Sequence, residues 1–119
     1  MSAAKNSEEL QILAKSLAEG DRKNSLSIIR KRLSSDFSNE YEMLVWKGWE
    51  RALHRQESMS LIYQILNGMS AKEAKQALKD LKKKRTEILI RDHTQTELSK
   101  QYLHYWVQLL DLYSQFCSE

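Results

Sequence analysis

The 119 residues contain no proline and only three glycines. Proline removes a backbone donor and glycine weakens a helix interior, so these two residues are the main local interrupters of helices. A chain almost without them has few places to turn. Gly20, Gly68 and clusters of small polar residues carry most of the punctuation. No run of strict apolar–polar alternation is long enough to predict a strand. The sequence therefore reads as all-α: an antiparallel four- to five-helix bundle, one domain over 1–119, with two short N-terminal helices followed by three long ones.

The helices follow from periodicity and caps. The first is expected over 7–19, with Leu10, Leu13, Ala14 and Leu17 on one face and Gly20 as a left-handed C-cap. Asp21 then caps a second over 22–34, with Leu26, Ile29 and Leu33 inward. After a polar turn, Ser38 is expected to cap a third. Tyr41, Leu44, Val45, Gly48, Ala52, Met59, Ile62, Tyr63 and Leu66 fall near one line at 100° per residue. That common phase predicts one helix over 39–67; a break near 55–58, capped by Ser58, is the alternative. Ser70 and Glu73 form a capping box that opens a fourth helix running to about residue 91. Ala74, Ala77, Leu78, Leu81 and Ile88 make its core stripe. A second box, Thr94 to Glu97, opens a fifth over 95–117, whose seam is Leu98, Tyr102, Tyr105, Leu109, Leu112 and Phe116.

Several classes fall away on composition. No apolar run approaches the ~20 residues that cross a bilayer, and the first ten residues lack the apolar centre of a secretory signal. No membrane is expected among its partners. The single cysteine, Cys117, has no internal partner, which suits a reducing, cytoplasmic compartment. A hydrophobic fraction of 41% is too high for a disordered chain. No repeat of solenoid length recurs.

Charge is unevenly distributed. The 19 basic and 16 acidic residues give a net +3. Residues 21–38 carry a net +3 and residues 69–94 a net +4, offset elsewhere. In the second block Lys72, Lys75, Lys79, Lys82 and Lys83 share one flank of the fourth helix, ~80–180° from its apolar line. Ammonium groups bind phosphates as point charges, so this flank is a candidate surface for a DNA or RNA backbone. The first block, with Arg30, Lys31 and Arg32, adds to it only if the two helices expose neighbouring faces. No glycine-rich phosphate loop or RNA-binding aromatic motif accompanies either.

Two apolar faces exceed what a surface helix needs. Leu103, Trp106, Leu110, Tyr113 and Cys117 form a second stripe beside the seam of the fifth helix, an arc about 180° wide. Trp46 and Met43 point away from the line drawn through the third helix. Either these faces are covered within the fold or they meet another chain. Trp46, Met43, Leu103, Trp106, Leu110 and Tyr113 are therefore candidate interface residues for a homo-oligomer or a partner protein.

Chemistry is sparsely represented. Glu50, His54 and Glu57 stand at ligand-like spacing, but the paired Glu-x-x-His motifs of a di-iron bundle are missing. His104 lies on the polar side of the fifth helix, His93 in a turn, and nothing basic beside Cys117 in sequence would activate its thiol. Arg55 and Arg85 interrupt core lines and could hold an anion. No catalytic residue, metal or cofactor is expected. The leading expectation is a non-enzymatic, self-associating interaction module, a subunit or adaptor of an intracellular complex. The alternative is a small basic protein that binds a phosphate backbone without reading sequence.

Overall fold

In the computed structural model, the structure describes the backbone of residues 2–91 and 97–117 and the side chains of residues 8–84 and 100–117. Among the described residues the chain is helical throughout: α1 (Ser2–Ala18), α2 (Arg22–Leu33), α3 (Glu40–His54), α4 (Leu61–Leu66), α5 (Ala71–Arg91) and α6 (Glu97–Phe116). The 94–97 capping box, His93, and the side chains of Arg85, Ile88 and Leu98 lie outside the described residues.

The turns are made by the residues that can make them. α1 closes through a left-handed Gly20, at φ 71°. Gly20 N–H donates to the Leu17 carbonyl and Asp21 N–H to that of Ser16, the paired C-terminal bonds of a Schellman motif. Asp21 then caps α2 by accepting from Asn24 N–H at 3.0 Å. Ser70 and Glu73 form the predicted box: Glu73 N–H donates to Ser70 Oγ at 3.1 Å, and Ser70 N–H to Glu73 Oε1 at 3.0 Å. Those bonds hold the Glu73 carboxyl below its ordinary value.

The long third helix is two helices. α3 ends at His54 in another Schellman motif, with Gln56 N–H on the Leu53 carbonyl and Glu57 N–H on that of Ala52. Its left-handed residue is Gln56, at φ 53°, where glycine is usual. No breaker marks this stop in the sequence. The next cap is Ser60, accepting from Tyr63 N–H at 3.3 Å, not Ser58. Asn39 rather than Ser38 caps α3, accepting from Tyr41 N–H at 2.8 Å.

Because the helix breaks, the shared phase across 39–67 has no structural meaning. The buried face of α3 is Glu42, Val45, Trp46, Trp49, Ala52 and Leu53. It is rotated roughly a quarter turn from the predicted line at 100° per residue. Tyr41 and Gly48 end up half-buried and Leu44 exposed.

α6 is central, packing on α1, α3 and α5, while α2 packs on α1 and α3. α1 buries Leu10, Leu13, Ala14 and Leu17, as its spacing predicts, against the same cluster that holds Leu109, Leu110 and Tyr113 of α6. Two polar contacts tie the ends of helices together. Ser16 and Ser25 hydroxyls meet at 2.8 Å between α1 and α2. Tyr113 donates to the Met69 carbonyl at 2.6 Å, fixing α6 to the start of α5.

Candidate functional site

Five of the six candidate interface residues are inside the fold. Trp46 is fully buried, and Leu103, Trp106, Leu110 and Tyr113 are buried with it; Met43 is half-buried. The indoles form a cluster across α3 and α6. Trp46 meets Trp49 edge-on at 5.1 Å, and Trp49 meets Trp106 at 5.6 Å. Trp49, whose Nε1 has no acceptor among the described residues, is the ring around which the other two assemble. The wide arc of α6 is explained by its central position: it needs apolar surface toward three neighbours. The five buried side chains face the interior of the fold rather than its surface.

The α2 basic block also dissolves. Arg32 is 6% exposed and is a core residue, not a phosphate contact. Its guanidinium lies 3.0 Å from Glu9 of α1 and 3.5 Å from Glu42 of α3, and donates to the Asp36 carbonyl at 3.2 Å. Phe37 stacks on it, 3.7 Å from the ring centroid. Glu42, 2% exposed, also accepts from Trp46 Nε1 at 3.3 Å and from the Tyr105 hydroxyl. Burial, then the Glu42 charge and hydrogen bond, push Tyr105 up to about 12 from 10.0, with Arg32 pulling it back. A carboxylate on the inner face of α3 is tolerable because a cation and two neutral donors meet it there. Sequence spacing gave no sign of this network, since Glu42 falls off the core line predicted for the third helix.

The other arginines of α2 are engaged as well. Arg30 pairs with Glu50 at 3.0 Å and meets His54 Nδ1 at 3.2 Å. Arg22 donates to the Leu53 carbonyl at 3.1 Å, closing the end of α3. Lys31 remains exposed. Glu50, His54 and Glu57 are not brought together as ligands: the first two face Arg30, and Glu57 lies beyond the end of α3. Among the described residues no group of three or more metal-binding side chains occurs. Arg55 is exposed rather than inward. Cys117 lies 3.9 Å from the Met69 carbonyl in a cleft of about 300 Å³ beside the start of α5.

The α5 lysines behave differently. Lys72, Lys75, Lys79, Lys82 and Lys83 are all exposed. Among the described residues, Lys72, Lys75, Lys79 and Lys83 form no ion pair. The helix turns Ala71, Ala74, Ala77, Leu78 and Leu81 toward the core. α5 packs chiefly on α6, which leaves its opposite flank open. At ~1.5 Å per residue the lysines span ~16 Å along the axis. α2 packs on α1 and α3 whereas α5 packs chiefly on α6, so the two basic helices are not close packing neighbours.

A second surface lies between α2 and α3. Leu33, Leu44 and Gly48 floor an open groove of about 710 Å³, edged by Lys47, Glu50, Arg51, His54 and Arg55. A Cβ at Gly48 would meet nothing within 4 Å. Glycine in a helix interior costs roughly 0.5–1 kcal/mol relative to alanine, and here no neighbour in the fold needs the space.

No protein-family model, no curated protein and no solved structure matches this chain. No helix among the described residues is long and apolar enough to cross a membrane.

Proposed function

We propose that this chain is a non-enzymatic binding module that holds a DNA or RNA phosphate backbone on the lysine face of α5, without reading base sequence. One observation carries the reading: five lysines share an exposed flank of a helix whose other side alone is packed. Lysines in such a row neutralise successive phosphates and release their counterions, which is a sequence-independent source of affinity. The reading takes the six helices as one bundle in the cytoplasm, where Cys117 stays reduced. It also places the module as a subunit of a nucleic-acid-containing complex, so binding and assembly are parts of one role.

The test is fluorescence anisotropy against a short labelled duplex and single strand over a range of salt. One phosphate neutralised by each of Lys72, Lys75, Lys79 and Lys83 gives a slope of about −3.6 in log affinity against log salt for duplex, and about −2.8 for single strand. Lys75→Glu with Lys79→Glu should weaken binding and reduce the slope by about two units, with helicity unchanged. Unaltered affinity in that variant removes α5 from the account.

A further inference from the structure

Of the α3 face that the sequence marks as core, Val45 and Ala52 are buried but Leu44 is left exposed. Leu44 is 43% exposed and, with Leu33 and Gly48, forms the apolar floor of the α2–α3 groove. The rim is cationic. Lys47, Arg51 and Arg55 form no ion pair among the described residues, whereas Glu50 is already neutralised by Arg30 at 3.0 Å. A bare glycine on the floor lets another backbone come close, and nothing among the described residues takes that space.

We propose that this groove docks an acidic amphipathic helix from a partner protein. Its apolar anchors lie on Leu33, Leu44 and Gly48, and its carboxylates meet Lys47, Arg51 and Arg55. Helix-in-groove recognition uses this combination of an apolar floor and spaced anchors. The guanidinium fork of Arg51 and Arg55 matches a carboxylate in two-point geometry. A phosphate backbone has no apolar side with which to cover Leu33 and Leu44, so the groove suits a peptide better than a nucleic acid. The inference does not depend on the role of α5.

The experiment uses the full chain and a labelled helical peptide with leucines along one face and glutamates on its flanks. A peptide of the same composition in scrambled order is the control. The ordered peptide should bind roughly tenfold or more tightly than the scrambled one. Lys47→Gln with Arg51→Gln, and separately Gly48→Leu, should each weaken it by roughly tenfold. Gly48→Leu replaces glycine by a strong helix former where a Cβ meets nothing within 4 Å, and an unchanged urea midpoint separates a loss of binding from a loss of fold. Lys75→Glu with Lys79→Glu should leave peptide affinity unchanged. No binding at low salt, equal binding of the scrambled peptide, or full affinity in both groove variants overturns the proposal. So does oligonucleotide binding that is lost in the groove variants, because the groove would then belong to nucleic acid.

Discussion

Replacing Arg32 by methionine should be among the most damaging single changes in the chain. The reason is what it leaves behind. Glu42, 2% exposed, would keep its charge without a counter-ion. Glu9 would lose a partner at 3.0 Å and Phe37 its stacked guanidinium. Removing one member of a buried ion pair costs about 3–5 kcal/mol, most of it the stranded charge. Arg30→Met is the built-in control. Arg30 also sits 3.0 Å from its carboxylate, Glu50, but its side chain is 51% exposed. An exposed pair of that kind is worth only about 0.2–1 kcal/mol. In urea, with a slope of about 2 kcal/mol/M, Arg32→Met should lower the midpoint by about 2 M, and Arg30→Met by at most about 0.5 M. A 119-residue domain has roughly 6–18 kcal/mol to lose, so the variant still folds over most of that range. The decisive measurement is Glu42→Gln added to Arg32→Met. The amide still accepts from Trp46 and Tyr105 but carries no charge, so the double variant should regain about 1–3 kcal/mol over Arg32→Met alone. If the second substitution destabilises further, or Arg32→Met costs no more than Arg30→Met, the account of a buried charge held by Arg32 is refuted.

Two other outcomes follow from the same structure. Tyr105 keeps its proton to about 12 while an unfolded tyrosine loses it near 10. Its contribution is complete below about pH 10 and falls as pH climbs toward 12. Tyrosinate absorbance should therefore show Tyr105 and Tyr113, both raised by burial, ionising above the ordinary tyrosine range; replacing either by phenylalanine with no loss of amplitude in that high range contradicts this. At the helix stops, Gly20→Ala should cost about 1 kcal/mol, because a Cβ is placed at φ 71°, and Gln56→Gly should gain up to about 1 kcal/mol at φ 53°. Urea midpoints that move in the same direction for both would show that backbone strain does not set these turns.

The lysine flank of α5 was legible because helix geometry fixes it once the capping box at Ser70 and Glu73 fixes the helix. A surface feature on a single helix needs no tertiary information. The aromatic stripes were visible but not interpretable, since a stripe at helical spacing looks the same whether a neighbouring helix or another chain covers it. The α2–α3 groove was invisible, because its floor residues read as core.

Sequence alone determined what local physics decides. The lack of proline and scarcity of glycine made the chain helical. Gly20, Asp21 and Ser70 fixed their boundaries through backbone bonds reaching only a few residues. The inner face of α1 followed from one unbroken stripe. Tertiary structure decided the rest. It ended α3 at His54 without a breaker, and so turned its core face from Leu44 and Gly48 toward Trp46 and Trp49. It also drew Arg32 and Glu42 inside, because burial of an ionised side chain depends on partners from distant helices, here the Glu9 carboxylate of α1 and the neutral Tyr105 hydroxyl of α6 as well as each other. Such a balance is set by three-dimensional proximity, which no spacing along one helix encodes.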